Sequence, residues 1–166
     1  ALAILIDEGK LSWKDKVKTY IPEFKMYNEY VTENFIIEDL LCHRSGMGLG
    51  AGDLMFFPDG SDFHIKDVVT SFQHFKPVSA FRTQFDYDNL LYIVAGEIIA
   101  RVSGMSWEQF VQTRIMEPLQ MNNSFTSQAG MKDKANLAIP HSTSTGKIRT
   151  ISLFGDQMVG AAGGIV

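Results

Sequence analysis

The apolar stretch that follows Asn89 constrains the fold more than any other part of the sequence. Its apolar residues fall on most sides of a helix rather than on one face: Leu90, Leu91, Ile93, Val94, Ile98, Ile99 and Val102. A helix that is apolar nearly all round is expected to be buried. Gly104 marks its end, since glycine readily takes the left-handed conformation that closes a helix. The sequence therefore predicts a buried helix from about Asn89 to Gly104.

The composition agrees with a packed core around such a helix. Of the 166 residues, 45% are apolar and 20% are charged, which is too apolar for a disordered chain. The 15 basic and 19 acidic residues are interspersed, so no basic patch predicts nucleic acid as a partner. The apolar runs are far shorter than the ~18 residues that a membrane span needs. Cys42 is the single cysteine, which excludes an internal disulfide.

Both ends of the sequence lack the usual boundary signals. Residues 1–8 resemble the last turns of a helix closed by Gly9, without a preceding N-cap. Residues 161–166 end in apolar chain without a polar tail. We therefore expect residues 1–166 to be a piece of something longer.

Local signals predict several further helices and little sheet. Ser106 with Gln109 forms the S-x-x-Q capping box of a helix that ends near Pro118. Apolar spacing predicts helices over residues 36–42 and 65–75, and a strand over 147–154. Residues 26–35 are expected to be loop, and residues 77–87 are expected to be extended chain and loop. The architecture is predicted to be helical and loop-rich.

Neither the glycine-rich segment nor the histidines match the sequence motif of a cofactor or metal site. The glycines of residues 46–52 come near G-x-G-x-x-G, but they lack the third glycine and follow a helix rather than a strand. The four histidines, His43, His64, His74 and His141, show no metal-binding spacing. We therefore expect no metal and no cofactor, and interpret His43 as a structural hydrogen-bonding residue.

A Ser-x-x-Lys sequence occurs at Ser144 and Lys147. On a helix, such a pair shares one face, so the amine can accept the hydroxyl proton. Gly146 and the neighbouring Ser and Thr residues favour a turn instead. This pair is therefore interpreted as a hairpin turn without a catalytic role.

The segment Tyr87-Asp88-Asn89 has two interpretations. In extended chain the phenol of Tyr87 and the amide of Asn89 point to the same side, where they could face one cleft. Alternatively, Tyr87 is a core aromatic residue and Asn89 is the N-cap of the following helix. The residue pattern alone leaves both open.

Taken in order, several segments resemble the serine β-lactamase-related family. That family includes class C β-lactamases, penicillin-binding D,D-peptidases, esterases and D-aminopeptidases. The matching segments are LIDEGKLS at 5–12, YIPEF at 20–24, DLLCHRSG at 39–46, YDN at 87–89, SGMSW at 103–107, EPL at 117–119 and AGG at 162–164. Their order and spacing are more specific than any one motif, and they favour the functional interpretation of Tyr87 and Asn89.

The resemblance implies an α+β fold, of which residues 1–166 are the central, mainly helical part with little sheet. It implies acyl transfer through a serine, with Tyr87 and Asn89 as catalytic residues and Asn89 also binding substrate. A free tyrosine has a pKa near ~10, so such a tyrosine works as a base only beside a lysine. The family's helical Ser-x-x-Lys is expected upstream of Ala1 and its K-T-G or H-x-G strand after Val166. The chain by itself is then expected to be inactive.

The resemblance also bears on partners and location. The expected substrate is a small molecule or a peptide with a β-lactam, ester or D-peptide amide bond. The expected location of the parent protein is periplasmic or extracytoplasmic. Leu2, Ile4, Ile6 and the last residues are expected to be exposed and to favour self-association. The alternative to catalysis is a non-catalytic sensor or binding domain of the penicillin-binding type.

Overall fold

The structure is a computed structural model that describes residues 1–56, 62–127, 131, 137–152 and 157–166. Eight α-helices and one two-stranded sheet are found in these ranges. The helices are α1 Leu2–Asp7, α2 Val17–Tyr20, α3 Glu29–Asn34, α4 Ile37–Leu41, α5 Ile65–Ser71, α6 Asn89–Ser103, α7 Trp107–Val111 and α8 Gly160–Gly163. The strands are β1 His141–Ser142 and β2 Arg149–Thr150, which pair antiparallel.

Helix α6 is the centre of the fold, as its apolar pattern predicted. Helices α1, α2, α4, α5, α7 and α8 all pack against it. Gly104 closes the helix in the left-handed conformation, with φ +72°. The N-cap is Asp88, whose carboxylate accepts the Leu90 N–H, so the alternative assignment of Asn89 as N-cap is wrong. Asn89 is instead the first helical residue.

Helix α1 packs against α6 with its apolar face. Leu2 is only 5% exposed and Leu5 is fully buried, while Ile4 and Ile6 are partly buried against the core. The prediction of an exposed Leu2 is therefore wrong, because the first helix already covers part of α6. Ile165 and Val166, at the other end, are exposed as expected.

Helix α3 lies where loop was predicted, within residues 26–35. Asn28 caps it by accepting the Val31 N–H at 2.8 Å. The buried Thr32 hydroxyl accepts the Met26 N–H at 3.0 Å, which ties the helix to the preceding chain. The prediction failed because the six-residue helix is too short to show a clear apolar period, and its stability comes from these side-chain contacts.

The other predicted helices are present. Helix α4 lies within residues 36–42, and α5 continues as a single 3-10 turn, Phe72–His74. Helix α7 begins with the predicted Ser106 and Gln109 box and continues as a π-helical segment, Gln112–Met116.

The sheet is small. Strand β2 occupies two residues of the predicted 147–154 strand, of which residues 153–156 lie outside the described part. Ser144 and Lys147 lie in the exposed turn between β1 and β2, where the Gly146 N–H bonds the Thr143 carbonyl at 2.8 Å. The interpretation of this Ser-x-x-Lys pair as a turn is confirmed.

Within the described ranges, no single helix is long and apolar enough to cross a membrane. Helices α6 and α7, the latter with its continuation to Met116, meet that test of length and composition only as a pair bent by 76°.

Among the residues that the structure describes, no group of three or more His, Cys, Asp or Glu side chains is arranged to hold a metal ion.

Candidate active site

The backbone of residues 86–88 is held from two sides just before α6. The Gly50 N–H of the glycine-rich loop donates to the Tyr87 carbonyl at 2.8 Å. On the other side, His43 accepts twice, because its carbonyl bonds the Asp86 N–H at 2.8 Å and its Nδ1 bonds the Asp88 N–H at 3.1 Å. The position of Tyr87 is therefore fixed by backbone contacts and not only by its own side chain.

His43 lies at the centre of an aromatic stack. Its ring is 4.3 Å from the Tyr87 ring and 5.0 Å from the Tyr92 ring, both nearly parallel, with Phe85 edge-on at 5.4 Å. Burial lowers the pKa of His43, and an Nδ1 that accepts a hydrogen bond belongs to a neutral imidazole. The interpretation of His43 as a structural hydrogen-bonding residue is confirmed.

A buried carboxylate anchors the chain on either side of this stack. Asp39 is 0% exposed and accepts from Arg44 Nε at 3.0 Å and from Arg82 Nε and Nη2 at 2.9 and 2.6 Å. Arg44 follows His43 directly, whereas Arg82 precedes Tyr87 by five residues. Two bound arginines compensate the buried charge and fix both segments relative to α4. No local sequence pattern predicts this cluster, because Arg82 lies 43 residues from Asp39 along the chain.

The Tyr87 side chain lines an open cleft of about 370 Å³. Tyr87 is 44% exposed, so its interpretation as a core aromatic residue is wrong. A phenol that is held in place and open to solvent can exchange a proton with a bound molecule. The cleft is lined by His43, Tyr87, Tyr92, Trp107, Gly160, Ala161, Ala162, Gly163 and Ile165.

Small residues bring α8 close to α6 and form the facing wall of the cleft. A Cβ atom on Gly96 would lie 2.7 Å from Ala161 Cβ, and one on Gly160 would lie 3.1 Å from the Trp107 ring. A larger side chain at Gly96 would push α8 away from α6, and one at Gly160 would push α8 away from α7. The last predicted family segment, at residues 162–164, therefore lies at the same cleft as Tyr87.

The Asn89 side chain makes a different contact. Its Nδ2 donates to Asp53 Oδ1 at 3.2 Å, across 36 residues of sequence. Asn89 is not among the residues that line the Tyr87 cleft. The joint facing of Tyr87 and Asn89 on one cleft stays a prediction, as does the catalytic role of each.

Asp88, between these two residues, is a buried carboxyl group. Its Oδ1 accepts the Leu90 N–H at 3.0 Å, whereas its Oδ2 has no hydrogen-bond partner among the described residues. Burial raises the pKa of Asp88 to about 7, and the nearby negative charge of Asp53 adds to the rise. Sequence analysis assigned no role to Asp88 or Asp53.

The structure does not bring Ser144 and Lys147 to this site. Ser144 bonds Ser142 at 3.0 Å and Arg149 at 3.4 Å, within its own hairpin. No described hydrogen bond joins Ser144 or Lys147 to Tyr87 or Asn89. The cleft beside Tyr87 thus presents a phenol that can exchange a proton, and no serine, cysteine or lysine is among the described residues that line it.

Comparisons with known proteins identify the family of this chain. The family model described as Beta-lactamase matches residues 1–166. The chain is similar to the unguisins hydrolase ungD' of Aspergillus campestris, with 29% identity over 131 residues that make up 76% of this chain and 24% of that protein. The chain thus spans about a quarter of the length of that relative.

Solved structures share the fold. The octameric penicillin-binding protein homologue from Pyrococcus abyssi matches with a TM-score of 0.77 and 26% identity, over 97% of this chain and 37% of that one. A class C β-lactamase matches with a TM-score of 0.73 and 21% identity, over 97% and 41% of the two chains. The fold is thus the α+β fold of β-lactamases and transpeptidases, here mostly helical with a small sheet, as predicted. The chain belongs to the β-lactamase family.

Proposed function

We propose that the parent protein is a serine hydrolase that cleaves a β-lactam, ester or D-peptide amide bond through an acyl-enzyme. Tyr87 carries the proton and Asn89 binds the substrate in this proposal. The nucleophilic Ser-x-x-Lys lies upstream of Ala1, on the helix to which α1 belongs, so residues 1–166 alone are inactive. An extracytoplasmic location of the parent protein belongs to the same proposal.

The observation that carries this proposal is the combination of a clamped backbone with an exposed phenol. A tyrosine with a merely structural role would be packed against the core. Tyr87 is instead 44% exposed and lines an open cleft. Three hydrogen bonds fix the backbone of residues 86–88. Such preorganisation is what proton transfer at a set position requires.

In this mechanism each half of the reaction, acylation and deacylation, contains two proton transfers through Tyr87. The serine oxygen attacks the carbonyl carbon while the phenol oxygen of Tyr87, deprotonated beside the lysine, accepts the serine proton. Tyr87 then protonates the departing alcohol or amine as its bond to the carbonyl carbon breaks. Water hydrolyses the resulting acyl-serine ester by the same two transfers. Removing the phenol oxygen therefore affects both halves.

Kinetics of the full-length protein test this role. A chromogenic ester, a cephalosporin and a D-alanine anilide serve as substrates for the wild type and for Tyr87→Phe. We expect Tyr87→Phe to lower kcat/KM by about 10²–10⁴-fold on the substrate that is turned over. Ser144→Ala and Lys147→Ala are matched controls, since they remove the hairpin pair, and we expect them to retain wild-type activity.

Three outcomes would contradict the proposal. Tyr87→Phe with wild-type kcat/KM would remove Tyr87 from the chemistry. Activity that disappears in Ser144→Ala would place the nucleophile in the hairpin. Binding without turnover of any substrate by the wild type would favour the sensor or binding domain instead.

Self-association through apolar surface is a separate part of the proposal. Ile165 and Val166 are exposed, and the Pyrococcus abyssi homologue is octameric. Size-exclusion chromatography over a range of concentrations would reveal association of the 166-residue chain, and an unchanged monomer would exclude it.

A further inference from the structure

The contact between Asn89 and Asp53 determines which way the Asn89 amide faces. An asparagine side chain has an N–H₂ end that only donates and an oxygen end that only accepts. A carboxylate accepts only, so the Nδ2 end of Asn89 faces Asp53, at 3.2 Å from Oδ1. The oxygen end and the second Nδ2 proton are consequently directed away from Asp53.

Asp53 is carried to this place by the glycine-rich loop. Its own N–H bonds the Gly50 carbonyl at 3.1 Å, and Gly50 in turn donates its N–H to the Tyr87 carbonyl at 2.8 Å. One short segment thus bonds the backbone of Tyr87 and the side chain of Asn89. The glycine-rich sequence that failed as a nucleotide motif has a structural explanation in these two contacts.

Gly52 lets this loop lie directly on α6. Its φ is +81°, and a Cβ atom there would lie 2.3 Å from Leu90 Cδ1 and 2.9 Å from the Phe75 ring. Leu90 is fully buried and follows Asn89 directly. A side chain at position 52 would therefore displace Asp53 from the start of α6.

Asp53 also acts on its surroundings through its charge. The negative charge of Asp53 helps to raise the pKa of the neighbouring buried Asp88. Asp53 thus interacts with both the carboxyl group of Asp88 and the amide of Asn89 at the start of α6. An ionised acceptor makes a stronger hydrogen bond than a neutral one, so it restrains the Asn89 amide more firmly than a neutral group would.

We propose that Asp53 is a positioning residue that holds the Asn89 amide in one orientation, with its oxygen and second N–H presented to a substrate that carries an acylamino or ester carbonyl. The free N–H then donates to the substrate carbonyl, and the oxygen accepts from an ammonium or N–H group. This inference rests on the proposed function, because it needs Asn89 to meet the substrate. Without Asp53, the amide can rotate and present the wrong end.

Kinetics of Asp53→Ala and Asp53→Asn in the full-length protein test the role. We expect Asp53→Ala to lower kcat/KM by about 10-fold, the effect of losing one charge-assisted hydrogen bond. Asp53→Asn still offers an oxygen acceptor, so we expect it to remain within about 3-fold of the wild type, since only the ionic part of the bond is lost. Asp67→Ala is the matched control, because Asp67 accepts the His64 N–H at 2.8 Å at the start of α5. We expect Asp67→Ala to retain wild-type kcat/KM.

A double-mutant cycle separates positioning from a general structural effect. If Asp53 acts through Asn89, Asp53→Ala has no further effect on kcat/KM in an Asn89→Ala background. Equal effects of Asp53→Ala in both backgrounds would overturn the inference. Wild-type kcat/KM for Asp53→Ala would overturn it too.

The side-chain amide resonances of Asn89 provide a measurement that does not depend on turnover. In isotope-labelled full-length protein we expect Asp53→Ala to shift the Asn89 Nδ2 proton resonances toward those of a solvent-exposed amide. Resonances that stay unchanged would overturn the inference. If Tyr87→Phe and Asn89→Ala keep full activity, the proposed function fails, whereas the resonances still report whether Asp53 orients Asn89.

Discussion

Two segments of this chain carry side chains suited to acyl transfer, and their surroundings differ in every respect. Tyr87 and Asn89 flank the buried N-cap of α6, and the backbone between them is bonded to His43 and to the glycine-rich loop. Ser144 and Lys147 lie in the exposed turn of a hairpin whose strands have two residues each. Both segments are short polar patterns in the sequence.

A catalytic type of residue pattern in the sequence therefore does not by itself indicate that the folded chain holds those side chains in place. A catalytic side chain needs a fixed position, which requires packing and hydrogen bonds from other parts of the chain. Residues 86–89 receive such contacts from His43, Gly50 and Asp53. Ser144 bonds only within its own hairpin among the described contacts. Substitutions in the two regions should therefore have unequal effects.

The largest difference is expected between two glycines with the same backbone conformation. Gly52 has φ +81° and Gly146 has φ +76°, but a Cβ atom meets Leu90 at 2.3 Å in the first case and nothing within 4 Å in the second. Alanine costs about 1 kcal/mol at either position for the left-handed conformation alone. Overpacking against the buried Leu90 adds about 2 kcal/mol at Gly52.

Urea denaturation of the two variants measures the difference directly. We expect Gly52→Ala to lower the free energy of unfolding by about 3 kcal/mol and Gly146→Ala by about 1 kcal/mol. Equal losses would mean that the glycine-rich loop does not lie on α6 as described.

An effect that depends on pH is expected from Asp88. Its pKa is raised by burial to about 7, above the ordinary value of 3.8, so the folded protein keeps a proton that the unfolded chain has already released. Stability therefore falls as pH rises from about 4 to about 7. Asp88→Asn keeps a capping side chain and does not titrate.

The comparison of Asp88→Asn with the wild type across pH isolates this contribution. We expect the two to differ little near pH 4, and the stability advantage of the variant to grow until about pH 7 and to stay constant above it. Burial lowers the pKa of His43, so protonation of this histidine in the unfolded chain reduces stability as pH falls below about 6.5. This contribution is the same in the wild type and in Asp88→Asn. Parallel stability curves would contradict a raised pKa of the buried Asp88.

The parts of the fold that the sequence predicted are those encoded by neighbouring residues. The apolar run after Asn89, the stop at Gly104 and the box at Ser106 and Gln109 each lie within one helix. Helix α3 was missed because a six-residue helix has too few apolar positions to show a period, and Thr32 stabilises it through Met26. The alternative that placed the N-cap at Asn89 is off by one residue, because Asp88 and Asn89 are both good caps.

The site was predicted only in part for a related reason. Tyr87 and Asn89 stand close together in the sequence, so their pattern was visible. Asp53 bonds Asn89 across 36 residues of sequence, and His43 bonds the Asp88 N–H across 45. No local pattern predicts such contacts. The exposure of Tyr87 is likewise not encoded locally, because it depends on how the chain packs around His43.

Locating the acylated residue tests the central claim most directly. The full-length protein is incubated with a slowly hydrolysed β-lactam or an activated ester, digested, and the modified peptide is identified by mass spectrometry. We expect an adduct on a serine upstream of Ala1, with the same site but slower labelling in Tyr87→Phe. An adduct on Ser144, or equal labelling rates in the wild type and Tyr87→Phe, would contradict it.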